Sequence, residues 1–360
     1  MEGAATLIRT GDGNLLRADV DALVNTVNTV GVMGKGIALQ FKRAYPSMYK
    51  AYEGAAKNGE IRLGRMSVWE TNQMTGPRYI INFPTKKHWK AKSRLADIES
   101  GLIDLIRVVD EYGIKSIAVP PLGCGNGGLD WADVEPLIVA AFQAIPEVDV
   151  LLYPPTGTPS AASMPTNEPR PPMTAGRAAL IALLDGYSSQ AEASTSLIES
   201  QKLMYFLQVA GEPLSLRYEK AWYGPYADNL RHVLKVVEGH YLRGFGDGAT
   251  AVMDAEPLDV LPGALDAAQA FLDGHPDTGK RIERVLELAN GYETPYGLEL
   301  LASVHWIAKE DPRASGDADL LVKEVQKWTP RKGRMFSEMH IRRAWENLRG
   351  KGWVTEPAHV

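Results

Sequence analysis

Residues 154–176 read PPTGTPSAASMPTNEPRPPMTAG, with seven prolines and almost no large apolar side chain. Proline removes a backbone donor and fixes φ, so neither a helix interior nor a central strand runs through such a stretch. At this density it favours extended, semi-rigid backbone, the composition of a linker. The 360-residue chain is thereby divided into a first domain over 1–153, a linker over 154–176 and a second domain over 177–360. Each of the two domains is long enough to bury its own core at the usual ~100–200 residues per domain.

Before the linker, β-rich runs alternate with helical patterns at 22–26, 37–45, 78–83, 98–112, 116–119, 134–144 and 148–153. Strands separated by helices of about 10–15 residues predict an α/β domain, with a mixed, largely parallel sheet flanked by helices. In such sheets ligands gather in the loops at the carboxyl ends of the strands. After the linker the alternation stops. Helical patterns at 178–184, 196–210, 226–237, 264–272, 280–290 and 336–348 predict a mostly α-helical second domain.

Composition narrows the chemistry. The net charge of −5 arises after residue 155, since residues 1–155 hold 17 Lys+Arg against 17 Asp+Glu. A balanced first half does not advertise tight nucleic-acid binding by charge alone. Cys124 is the only cysteine, which excludes a disulfide framework and a thiolate zinc cluster, and no metal or cofactor is expected. No apolar run approaches the roughly 18 residues of a membrane span. The first residues, MEGAA, lack the basic and apolar regions of a signal peptide, so the expected location is the cytoplasm, with no membrane partner.

Two glycine loops carry the strongest signal. Residues 24–38, VNTVNTVGVMGKGIA, read as a strand entering a glycine-spaced loop and then a helix. Closely approaching backbone N–H groups and the positive end of a helix suit a phosphate. The spacing Gly-x-x-Gly-x-Gly matches neither the dinucleotide fingerprint nor a P-loop. Residues 119–131, VPPLGCGNGGLDW, repeat the arrangement, with Asp130 as the expected helix cap. One such loop is a turn; two at one sheet end suggest a clamp for a diphosphate. Cys124 lies in the second loop without a motif-level base, so a small lining residue is its expected role rather than a nucleophile.

With Thr10-Gly11-Asp12, the strand at 24–28 and both glycine loops, residues 1–153 resemble the macrodomains, an ADP-ribose-binding α/β fold. The resemblance implies that Asp12, followed by Gly13, meets the adenine amino group. It implies that Asn25, Asn28, Gly31, Met33, Gly34, Lys35, Gly36 and Ile37 hold the distal ribose and diphosphate. Leu122, Gly123, Cys124, Gly125, Asn126 and Gly127 would wrap the diphosphate from the other side, with Thr85 and Tyr153 completing the site. Together with GVMGKGIALQF, the segment INFPTKKHWK at 81–90 resembles the DarG family of macrodomain antitoxins and, more distantly, glycohydrolases that use a lysine.

That resemblance makes Lys86 the catalytic candidate. On charge alone, Lys86, Lys87, Lys90 and Lys92 read as a solvated basic edge. A neutral amine attacks an anomeric carbon and forms a Schiff base that water later releases. At an ordinary lysine pKa near 10.4, only about one amine in 2,500 is neutral at pH 7, so burial must lower it. The relatives' loop aspartate is missing here: the stretch reads Asn126-Gly127-Gly128, with Asp130 beyond its end. If the modified acceptor is a base in single-stranded DNA, Trp89 offers a stacking face and His88 and Lys90 offer backbone contacts.

In the second domain, SQKLMYFLQ at 200–208 and YEKAWYGPY at 218–226 resemble SocA-like antitoxin domains. No paired acids, ligand spacing or nucleophile triad accompanies them, so binding is expected there and no catalysis. The resemblance implies a DarT-like DNA ADP-ribosyltransferase toxin as partner. Trp222 and Tyr223 are one candidate contact. The other is the acidic run between Arg243 and Lys280, seven acids without a Lys or Arg, with Asp254, Glu256 and Asp259 at its centre. Such a run is a solvated face or a complement to a DNA-gripping groove. The basic end around Arg331, Lys332, Arg334, Arg342 and Arg343 reads instead as a winged-helix-like or phosphate contact. The combined expectation is an antitoxin that removes ADP-ribose from DNA through Lys86 and binds the toxin through its second domain. Its rivals are a non-catalytic ADP-ribose reader and a hydrolase of ADP-ribosylated protein or small derivatives.

Overall fold

The structure of the protein, a computed structural model, describes residues 7–354; the outermost ends of the two expected domains lie outside them. The chain forms two compact units. One comprises the residues up to Pro169 together with Gly246–Thr250; the other comprises Arg170–Phe245 and the residues from Ala251 onward.

In the first unit β1 (Ile8–Thr10), β2 (Ala22–Asn28), β3 (Ser67–Glu70), β4 (Tyr79–Lys86), β5 (Ser116–Val119) and β6 (Asp149–Leu152) form one sheet in the order β1-β6-β5-β2-β4-β3. All neighbours are parallel except β3 against β4. The helices are α1 (Gly36–Ala44), α2 (Pro46–Lys57), α3 (Leu95–Glu111) and α4 (Trp131–Phe142). Alternation along the strands builds two cores. Ala22, Val24, Ile81 and Phe83 face α3 and α4, joining Leu105 and Ile138; Leu23, Val27 and Ile80 face the other way, joining Phe41, Met48 and Tyr52. Both faces being covered, the strands read as apolar runs, which is the signature of a parallel sheet.

The expected strands and helices are present, while β1, β3 and α2 were not anticipated. The first two are short edge strands with few apolar residues. The proline stretch also divides differently from the expectation. Residues 154–169 cluster with the first unit, because Asn14 Nδ2 and Arg17 Nε donate to the Ser163 carbonyl at 3.2 and 3.1 Å. Asn167 N donates to the Arg43 carbonyl at 2.8 Å. Apart from one turn of 3-10 helix at Ala161–Ser163 the segment is irregular, yet its backbone is held where side chains and carbonyls satisfy it.

The second unit is helical around the helix Pro295–Glu310, whose residues 297–308 are buried apart from Trp306. A helix buried all round has no polar stripe, and periodicity therefore misses it. A short hairpin, β7 (Glu219–Ala221) and β8 (Gly224–Tyr226), turns at Trp222 and Tyr223. Among the described residues no helix is long and apolar enough to cross a membrane.

The seating of α3 on β4 supplies a test of this architecture. A Cβ at Gly101 would lie 2.2 Å from the Phe83 ring, so Gly101→Ala forces helix and strand apart. The expected cost is about 1–3 kcal/mol, read as a lowered melting temperature; an unchanged melt would mean that α3 does not pack against β4 this closely.

Candidate functional site

A cavity of about 960 Å³ opens at the carboxyl ends of the parallel strands of the first unit. Its walls are the loops after β2, β4, β5 and β6. The first loop is shaped by Asn28, whose Oδ1 accepts from Val30 N and Val32 N at 3.1 and 3.3 Å and whose Nδ2 donates to the Val32 carbonyl at 2.6 Å. Tyr52 braces it from below, donating to the Asn28 carbonyl at 2.5 Å. Beyond the loop α1 begins with Lys35 as cap residue and no side-chain cap bond, which leaves its first backbone N–H groups for a ligand. Gly36 takes φ +63°, a left-handed conformation that favours glycine.

The second loop is held by its own backbone. Leu129 N donates to the Gly123 carbonyl at 3.1 Å, and Ser93 N donates to the Gly127 carbonyl at 3.0 Å. Gly127 is obligatory, since its Cβ would lie 2.3 Å from the Gly123 carbonyl oxygen. Gly125, by contrast, faces open space. Asp130 caps α4, accepting from Ala132 N at 3.0 Å. The two loops converge: a Cβ at Gly36 would lie 3.3 Å from Asn126 Nδ2.

Lys86 stands at this convergence. The β2–β4 register shifts at Val27 and Asn28, so that Asn28 pairs with Lys86 and Thr85 is skipped. The Lys86 Nζ then donates to the Asn126 carbonyl at 2.8 Å. Burial pushes its pKa below the ordinary lysine range, and a neutral carbonyl supplies no charge to raise it again. Thr85 is buried and its Oγ1 donates to the Val27 carbonyl at 3.4 Å. Trp89 and Lys90 also line the cavity. Trp89 is 49% exposed, with the Lys90 Nζ 4.8 Å from its ring centre, so its indole is a platform rather than core. His88 is exposed, tilts against Trp89 and accepts from Lys90 N through Nδ1 at 3.2 Å.

Of the candidate ligand residues, Gly13, Asn28, Gly34, Lys35, Gly36, Ile37, Thr85, Gly123, Gly125, Asn126, Gly127 and Tyr153 line the cavity. Asn25 and Met33 lie beneath it: Asn25 is fully buried and donates to Asn82 Oδ1 at 2.9 Å, its register partner on β4. Leu122 is core. Asp12 is exposed beside the cavity, accepting from Gly13 N at 2.8 Å. The Cys124 thiol is pushed up to about 11 by burial and then by the Asp130 charge, which disfavours a thiolate nucleophile. Sequence reasoning missed several wall residues. Asn14 carried a helix-cap signal, whereas residues 154–159 were hidden by their linker composition. Nothing in the sequence pointed to Asp247, which is buried and accepts from Gln40 Nε2 at 2.7 Å.

In the second unit Trp222 is 53% exposed at the hairpin tip. The hairpin beneath it is fastened by Trp328 Nε1 donating to the Ala221 carbonyl at 2.9 Å and by the Lys202 Nζ donating to the Pro225 carbonyl at 2.7 Å. Tyr223 lies under the Arg331 guanidinium at 4.9 Å. Asp254, Glu256 and Asp259 are exposed, with Ser194 donating to Asp259 Oδ1 at 2.9 Å. Asp247, the first acid of the run, is buried and belongs to the first unit. The basic end is largely neutralised from within: Lys332 is fully buried and, like Arg331, paired to Glu299, while Arg342 pairs with Asp319 and Glu338.

The chain is similar to known proteins over most of its length. The Macro domain family model matches residues 24–138. A DNA ADP-ribosyl glycohydrolase of Mycobacterium tuberculosis is 48% identical, over 93% of this chain and 97% of its own. One from Thermus aquaticus is 45% identical, over 96% and 94%. A DNA ADP-ribosyl transferase-DNA ADP-ribosyl glycohydrolase fusion protein of Thermosipho africanus is 35% identical, over 39% of this chain and 40% of its own.

The two kinds of glycine separate folding from binding. Gly125→Val fills open space above the second loop and is expected to leave the melting temperature unchanged while weakening ADP-ribose by about tenfold or more in calorimetry. Gly127→Val is expected to lower both. A Gly125→Val chain that binds as tightly as the parent removes this loop from the site.

Proposed function

The chain belongs to the DNA ADP-ribosyl glycohydrolase family, with a macrodomain as its first unit, and we propose that it hydrolyses the bond between ADP-ribose and a base of single-stranded DNA through Lys86. The observation that carries this reading is the Lys86 amine, held by a neutral carbonyl between two glycine loops and shifted by burial toward its uncharged form. The loops and the uncapped start of α1 bind the diphosphate. Trp89 stacks on the base and Lys90 meets its phosphate. The Nζ lone pair forms a bond to the anomeric carbon of the distal ribose, while the bond from that carbon to the base nitrogen breaks and the base leaves with a proton. Ring opening gives a Schiff base; water adds to its carbon, frees the amine and yields ADP-ribose.

The second unit is proposed to bind a DarT-like DNA ADP-ribosyltransferase toxin directly. Its support is the Thermosipho africanus relative, which names both activities in one chain, and the exposed Trp222 on a fastened hairpin. Asp254, Glu256 and Asp259 supply complementary charge toward a groove built for DNA.

Lys86→Ala is expected to cut release of ADP-ribose from a modified oligonucleotide by roughly a hundredfold or more, with ADP-ribose affinity within a few-fold. Unchanged hydrolysis would pass the chemistry to another group, with His88 the next to test. The pH profile carries a sign. Because the reactive form is the free amine, the rate rises with pH through the Lys86 pKa, and burial places the plateau below the range of an ordinary lysine. For the second unit, charge reversal at Asp254, Glu256 and Asp259 is expected to weaken capture of the toxin and flatten its salt dependence. Capture indifferent to the reversals shifts the interface to Trp222 and Tyr223.

A further inference from the structure

After β6 the chain does not leave the first unit. Residues 154–159 line the same cavity as the glycine loops, and Gly157, at φ +103°, turns the backbone in a way that favours glycine. The return leg is tied at two places. The Ser163 carbonyl accepts from Asn14 Nδ2 and Arg17 Nε at 3.2 and 3.1 Å. At the far end of α1, Asn167 N donates to the Arg43 carbonyl at 2.8 Å and Asn167 Nδ2 donates to the Ala44 carbonyl at 2.7 Å. Ala161, just before the first tie, is buried. The proline stretch is thus a strap whose first half is cavity wall.

Its position identifies which part of a ligand it meets. The strap starts from β6, and β5 and β2 lie between β6 and the β4 strand that carries Lys86. At about 4.8 Å per strand spacing, the two ends of the cavity are about 14 Å apart. Tyr153 stands at the strap's end: a Cβ at Gly11 would lie 2.4 Å from its ring, and the Asp12 carboxylate is near enough to add to burial in raising its phenol pKa. Pro154, Pro155 and Pro159 bring flat apolar faces to the cavity. An aromatic ring, proline faces and a nearby exposed carboxylate suit a flat heterocycle bearing an amino group. They do not suit a phosphate.

We propose that residues 154–159, tied back through 160–167, form a built wall that recognises the nucleoside end of ADP-ribose, so that the site is incomplete in a chain ending at the last strand. This rests on the ADP-ribose reading above. Prolines preorganise the wall, so loosening it costs affinity for ligands that carry the nucleoside and spares those that lack it.

The test uses the full chain carrying Pro154→Gly, Pro155→Gly and Pro159→Gly together, and separately Asn167→Ala, which removes a tie without altering the lining. ADP, ADP-ribose and ribose 5-phosphate are titrated by calorimetry. ADP and ADP-ribose are each expected to weaken by about tenfold or more in the triple variant and by a smaller factor in Asn167→Ala, with ribose 5-phosphate unchanged. With an ADP-ribosylated oligonucleotide the loss falls on KM rather than kcat. ADP affinity unchanged in both variants overturns the proposal, as does an equal loss for ribose 5-phosphate, which would mean general loosening. A parent chain that binds ADP yet leaves ADP-ribosylated DNA intact sinks the catalytic reading alone, and the strap is still decided by the ADP titration.

Discussion

The pairing of β2 with β4 is the constraint on which the site depends. These strands run in register from Ala22 and Tyr79 as far as Val27 and Pro84, and then slip so that Asn28 pairs with Lys86. Without that slip Lys86 would fall one residue beyond its present neighbour, and a one-residue change of register turns a side chain to the opposite face. With it, the amine emerges beside the first glycine loop and reaches the carbonyl of the second. Below the slip, the buried Asn25–Asn82 pair sits at matched positions of the same two strands. A buried polar pair of this kind penalises any other alignment, because each amide would lose its partner.

The chain treats its buried lysines in two ways. Lys86 is half-buried, its amine on a backbone carbonyl, and burial alone lowers its pKa. Lys332 in the second unit is fully buried with Glu299 and Ser303 as partners, an arrangement that keeps a charge compensated. Lys202 lies between these cases. Burial, opposed by Glu299, brings it down to about 7 while its Nζ holds the Pro225 carbonyl. The contrast separates the proposed chemistry from support: an amine on a neutral carbonyl has no paired acid to hold its proton, as the proposed role of Lys86 requires, whereas Lys202 fixes the hairpin that presents Trp222.

What the sequence made legible follows from what periodicity and motifs report. The parallel core was readable because strands covered on both faces are continuous apolar runs, and β5 falls at the expected residues. The loops were readable because glycine spacing states where backbone must approach closely, as at Gly36 and Gly127. The helix Pro295–Glu310 was not readable, since total burial erases amphipathic contrast. Residues 154–169 were misjudged for the opposite reason. Composition reports what prolines forbid and is silent on the carbonyls at Ser163, Arg43 and Ala44 that fasten the segment. Asn25 looked like a ligand residue by motif, yet its side chain faces Asn82 within the sheet. Asp247 carried no signal because nothing local in sequence links it to Gln40.

The charge balance of the first half bears on how such a site selects its substrate. With 17 Lys+Arg against 17 Asp+Glu over residues 1–155, no broad positive field draws in a phosphate backbone, and non-specific DNA affinity comes mainly from such a field. The proposed DNA contacts are local, an indole with a lysine over it at Trp89 and Lys90. On the proposed reading affinity comes from the group that marks the substrate, in a cavity lined by two glycine loops, the start of α1 and the proline segment. On that reading such a site passes over unmodified DNA, because binding energy is released only when the cavity is filled, and the scissile bond of a bound substrate meets Lys86.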